Sequence, residues 1–168
     1  MSEKKRLEYF RNTMKFTGKH KKYIDDLWEQ NVIQSSYIQY LYELYGIAAI
    51  LGLRLQRKEP IDASEEVRNI QVDQLLKYES VLKTIMTTVL LLDESAGRTK
   101  EERIKRAFSE PSTEEELAED LELFNSYARG GIEFLHEELV ERPLTNDDAY
   151  TDARIGNIVA LLDNPLLR

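Results

Sequence analysis

Ile33-Gln-Ser-Ser-Tyr37-Ile-Gln-Tyr40-Leu-Tyr-Glu-Leu44-Tyr-Gly-Ile47-Ala-Ala-Ile-Leu51 is the stretch whose reading decides the fold. Its apolar residues Ile33, Tyr37, Tyr40, Leu44, Ile47 and Leu51 follow one another at alternating steps of four and three. That is an a/d heptad seam, the pattern of a helix packed lengthwise against another. Leu41, Ala48 and Leu55 widen the apolar face, and Gly46, Ala49 and Gly52 are small enough to let a partner helix approach closely. The helix is predicted to stop before Pro60, because the residue preceding a proline is pushed out of the helical region.

Two further segments repeat the pattern. Leu75, Tyr78, Leu82, Ile85, Val89 and Leu92 form a second seam, with Asp62, Ser64 or Glu65 as a cap at its start and Gly97 as a terminator. Leu117, Leu121, Phe124, Ala128, Ile132, Leu135 and Leu139 form a third, running to about Arg142 before Pro143. Overlapping capping boxes at Ser112–Glu115 and Thr113–Glu116 mark its start. A short helix opens at Thr99 with a third capping box. A last one, from Thr145 through Ile155, Ile158, Val159 and Leu162, closes at Asn164-Pro165. No alternating run of β-branched residues signals a strand. The expected architecture is all-α: a helical bundle of three long heptad-patterned helices plus shorter helices, in one domain over residues 19–168. Such seams close either within the chain or against a copy. A homodimer, or another helical protein partner, is therefore the expected assembly.

The chain has 168 residues, 42% hydrophobic and 32% charged, with 7 Gly and 4 Pro, a composition that favours helix. There is no cysteine, which removes disulfides and thiolate metal sites and fits a reducing compartment. The most apolar stretches, 46–53 and 84–92, fall short of the ~20 residues a membrane span requires. With no apolar run after the basic start to form a signal peptide, a cytoplasmic location and no membrane association are expected.

The charge is divided unevenly. Residues 1–22 carry Lys4, Lys5, Arg6, Arg11, Lys15, Lys19, Lys21 and Lys22 against Glu3 and Glu8, a net of +6 within a chain of net −8. Residues 1–18 read as a basic N-terminal arm or short helix, with Leu7, Phe10 and Met14 at helical spacing. Clustered cations beside Tyr9, Phe10 and Phe16 suit contact with nucleic acid or an acidic partner. Deleting residues 1–22 is then expected to abolish a salt-sensitive interaction while leaving the body folded.

Other clusters carry weaker signals. Glu116-x-x-Glu119 places two carboxylates on one helix, as in all-helical nucleotide pyrophosphohydrolases, but the second acidic pair such enzymes use is missing. Glu133-x-x-His136 matches half of a di-iron bundle motif, and the only other histidine, His20, lacks the motif. No metal and no cofactor are expected. Arg129-Gly130-Gly131 puts two glycines inside a helix at a cost of roughly 1 kcal/mol each. A kink or close helix crossing, or an anion contact beside Arg129, would offset that cost. The resulting expectation is a non-enzymatic interaction or accessory protein, of a kind found in bacterial or phage nucleic-acid processing or defence. The alternatives are an acidic DNA-mimic inhibitor and a metal-dependent hydrolase.

Overall fold

The computed structural model describes residues 7–28, 36–142 and 153–168. The described chain is mostly helical, with one small antiparallel sheet. Strand β1 (Met14–Thr17) leads into α1 (Gly18–Leu27). Helix α2 (Leu41–Leu55) follows, then β2 (Val67–Ile70), α3 (Val72–Lys77), α4 (Glu79–Leu92) and α5 (Lys100–Ala107). Helix α6 (Glu114–Leu139), α7 (Ala153–Leu162) and a 3-10 turn at Pro165–Leu167 complete the chain.

Helix α6 is the single long helix among the described residues and the centre of the molecule; α2 lies along it in the most extensive helix–helix contact. From Tyr127 to His136 every residue of α6 is buried. The expected seam holds here: Leu117, Phe124, Ala128, Ile132, Leu135 and Leu139 all face the core. Its start is also as expected, with the Thr113 hydroxyl accepting the Glu116 N–H at 3.1 Å. Glu116 departs from the capping box and instead accepts from the Ser112 N–H at 2.8 Å.

Helices α2 and α4 are shorter than the sequence predicts. Tyr40 has an extended backbone and α2 begins only after it, so Tyr37 and Tyr40 lie outside the helix. The buried face of α2 is Leu41, Leu44, Tyr45, Ala48, Ala49, Gly52 and Leu53, whereas Ile47 is 41% exposed and Tyr40 44%. The face is rotated from the predicted seam because the small residues make the closest approach. A Cβ on Gly52 would collide with the carbonyl of Tyr127, and one on Gly131 with the carbonyl of Ala48. The second predicted helix is divided. Its expected cap region runs into β2, and α3 and α4 meet at the non-helical Tyr78. Leu82, Ile85 and Val89 are buried as expected, but Leu92 is 53% exposed at the helix end.

The sheet corrects the expectation that the chain has no strand. Phe16 pairs with Arg68 and Met14 with Ile70. Each strand has only four residues, too few for an alternating pattern to stand out. Gly18, the last residue of the expected arm or short helix over 1–18, instead opens α1, with φ +57°. Phe10 and Phe16 are buried, and they build an aromatic cluster with Tyr45 and Phe124. Ring centroids there are 5.3 Å apart for Phe10–Phe124 and 4.9 Å for Tyr45–Phe124. Phe10 and Phe16 are therefore part of the core, although the segment that carries them reads in the sequence as an arm outside the bundle domain. The Thr145 start of the last predicted helix lies outside the described residues, and α7 is described from Ala153.

Candidate functional site

The densest polar cluster lies where α1 crosses α6. Glu133 of α6 is buried, and its carboxylate receives Lys19 Nζ at 2.5 Å, His20 Nε2 at 3.1 Å and Arg57 at 2.8 Å. Arg57 follows the left-handed C-cap Gln56 of α2 and also binds Glu137 at 2.7 Å. Gly130 makes this placement possible, since a Cβ there would strike the Arg57 carbonyl. Burial works to raise the Glu133 carboxyl, but hydrogen bonds from Lys19 and Arg57 outweigh it and hold the group below its usual range. Burial pushes His20 down to about 4, against the attraction of Glu133. His20 is thus neutral at pH 7, with the proton on the Nε2 that faces the carboxylate. One turn further, His136 stacks on Tyr23 at 4.2 Å and places Nε2 2.8 Å from Asp26.

This cluster fastens α1 to α6. Glu133 and His136, half of a di-iron motif in the sequence, both reach back to α1. A general base needs substrate within hydrogen-bond reach, and His20 is fully buried. Among the described residues no three His, Asp or Glu side chains converge to hold a metal ion.

The expected polyanion cations are dispersed. Lys4, Lys5 and Arg6 lie outside the described residues. Arg11 pairs with Glu8 at 2.6 Å and Glu79 at 3.1 Å, Lys21 pairs with Asp25 at 2.8 Å, and Lys19 is bound to Glu133. Lys15 and Lys22 are exposed. Arg129 is buried and turned inward, with Nε donating to the Glu59 carbonyl at 2.7 Å and a terminal nitrogen paired with Glu122. The Arg129-Gly130-Gly131 stretch coincides with a close crossing, both glycines facing backbone from the α2 side.

The acidic pair is likewise occupied locally. Glu116 caps Ser112, and Glu119 lies 3.1 Å from Arg106. Next to it the buried Asp120 accepts from Tyr9 at 2.5 Å and Arg106 at 2.5 Å. Burial raises the Asp120 carboxyl despite these two donors. A groove of about 540 Å³ beside α6 is lined by Lys58, Asp93, Arg98, Arg106, Glu119 and Glu122, three cations matched by three carboxylates.

Apolar surface that no element among the described residues covers is found on α7. Its inner side is held to α6 by Asn157, which is buried and donates to the Leu139 carbonyl at 3.0 Å, while Leu161 packs against the core. The apolar residues through which this helix is expected to run point outward: Ile155 is 62% exposed, Ile158 40%, Val159 53% and Leu162 71%. Periodicity in the sequence shows that an apolar stripe exists and leaves open what covers it. Sequence reasoning also missed the convergence of His20 and Arg57 on Glu133, for which no local spacing is a signal. No protein-family model, curated protein or solved structure matches the chain.

Proposed function

We propose that this chain is a non-enzymatic interaction or accessory protein that docks onto a protein partner through the outward face of α7. The carrying observation is the exposure of Ile155, Ile158, Val159 and Leu162 on one side of a ten-residue helix. Contiguous apolar surface on a folded chain marks an interaction site, and a helix this short depends on tertiary packing for its stability. In this reading α2, α4 and α6 act as a bundle-like scaffold for the shorter helices. The internal ion pairs of Arg11, Lys19 and Lys21 favour a protein partner over a polyanion held by the N-terminal arm.

The test is a photo-cross-linking residue at Val159 in cells producing the protein, with the same residue at the exposed Glu101 of α5 as control. A discrete adduct from position 159 and none from 101 is expected. The absence of any adduct at 159 would refute the reading.

A further inference from the structure

We propose that the groove between α5 and the start of α6 binds a small phosphorylated ligand, whose phosphoryl group is gripped by Arg98 and Arg106 in the place that the Glu119 carboxylate occupies in the free chain. The groove lies at the N-terminal end of α6, whereas α7 is held to its C-terminal end through Leu139. The site is therefore independent of the docking face.

The two guanidinium groups form a clamp that is only partly filled. Arg106 is fixed from behind: its Nε donates to the buried Asp120 at 2.5 Å, and Tyr9 holds the other oxygen of that carboxylate at 2.5 Å. The remaining edge of Arg106 meets Glu119 Oε2 at 3.1 Å. Arg98 approaches the same oxygen, but at 3.7 Å, which is beyond hydrogen-bond range. That is its one polar contact among the described residues, although only 30% of its side chain is exposed. Most of the five N–H donors of Arg98 are thus left to solvent and to whatever enters the groove.

Glu119 is a poor filler for such a clamp. Its side chain is 65% exposed, so it can swing away at little cost. It also offers one oxygen to both arginines, where each guanidinium is built to take two. A planar carboxylate cannot present a pair of oxygens to two separate forks. A tetrahedral phosphoryl group can, because it has three peripheral oxygens.

The rest of the groove suits the same ligand. Lys105 and Ser109 line it and make no side-chain hydrogen bond or ion pair among the described residues. Of its carboxylates, Glu102 is turned onto the Thr99 N–H at 2.7 Å and Glu116 onto the Ser112 N–H at 2.8 Å, while Glu110 is exposed. The volume, about 470 Å³, is in the range of small-molecule sites and larger than one phosphoryl group needs. The ligand is accordingly a phosphate carried on a larger molecule. In a chain of net charge −8 the general field repels anions, so affinity has to come from these contacts.

The test is calorimetric titration of the full chain with inorganic pyrophosphate at low salt, with succinate as the carboxylate control. One saturable site is expected for pyrophosphate and none for succinate. Arg98→Ala should weaken binding about tenfold or more, as loss of a charge-assisted contact does. Its loss uncovers no buried carboxylate, unlike that of Arg106, and its thermal transition should match the parent. Glu119→Gln should strengthen binding about two- to fivefold by removing the tethered competitor. Glu115→Gln makes the same charge change on an exposed position of α6 outside the groove and should leave affinity unchanged. Absence of a saturable pyrophosphate site, equal binding by the parent and Arg98→Ala, or equal gains from Glu119→Gln and Glu115→Gln overturns the proposal and leaves Glu119 in an ordinary surface ion pair. Succinate binding as tightly as pyrophosphate overturns the assignment of a phosphoryl group.

Discussion

Gly52 of α2 lies directly against the backbone carbonyl of Tyr127 on α6, in space that any Cβ would need. One turn of α2 earlier, the carbonyl of Ala48 lies against Gly131 in the same way. The two helices interlock by exchanging glycines: each supplies one where the other supplies backbone. This contact sets the rotation of α2 and therefore which of its residues are buried.

Substitution at these positions should separate rigid from yielding neighbours. Gly52→Ala forces two backbones apart and should cost about 2–3 kcal/mol in urea unfolding, as overpacking does. Gly46→Ala meets the end of the Ile85 side chain at 3.1 Å, which can turn away. Its gain in helix propensity offsets that contact, and its stability should stay within about 1 kcal/mol of the parent. Equal effects at the two sites would contradict the close crossing.

His20 makes stability depend on mildly acid pH. Its folded value of about 4 lies below the ordinary 6.5. The unfolded chain therefore binds a proton between these limits and the folded chain does not, so stability is full above about 6.5 and falls as pH drops towards 4. The loss should amount to about 2–3 kcal/mol. With only two histidines, proton NMR can isolate His20 in the His136→Gln variant. Its ring signals should stay those of the neutral form at pH 5.5; titration at an ordinary value would show that the ring is hydrated.

The N-terminal segment should prove indispensable to folding. Phe10 is 3% exposed and Phe16 2%, and Tyr9 donates to the buried Asp120 at 2.5 Å. Removing residues 1–22 should abolish the cooperative unfolding transition. Phe10→Ala should cost about 3–5 kcal/mol through the cavity it opens. Tyr9→Phe, which removes one charge-assisted hydrogen bond, should cost about 1–2 kcal/mol. A truncated chain with an intact thermal transition would return these residues to the status of a detachable arm.

What the sequence makes legible here depends on how locally each feature is encoded. The starts of α5 and α6 are readable because Thr99 and Thr113 act on residues three positions away. The inner face of α6 is readable because a 26-residue helix repeats its pattern several times. On α2 the heptad rule selects the large residues Tyr40 and Ile47, whereas Ala48 and Gly52 decide the contact by being small. The strands pair residues fifty or more positions apart through four residues each. His20 and Glu133 are separated by 113 positions, and no periodicity connects them. Arg129-Gly130-Gly131 is intermediate: the cost of two glycines is visible locally, but the Arg57 and Ala48 backbones they accommodate are not.

Asp93 and Tyr127 provide a separate test at lower pH. Asp93 ends α4 with a carboxylate that is almost fully buried and accepts from Tyr127 at 2.6 Å and Ser95 at 2.7 Å. Burial works to raise this carboxyl, but the two hydroxyl donors and nearby Lys58 prevail and hold it below its usual value. A lowered carboxylate contributes stability above its unfolded value, about 3.9, and that contribution is lost as pH falls through the folded value. Tyr127→Phe keeps the ring in place and removes one donor. It should cost about 1–3 kcal/mol at pH 7, because a buried acceptor loses a partner. It should also move the low-pH end of the stability curve, below the range where His20 acts, towards higher pH. A loss of stability equal at pH 7 and pH 3 would assign the effect to packing of the ring and not to the charge on Asp93.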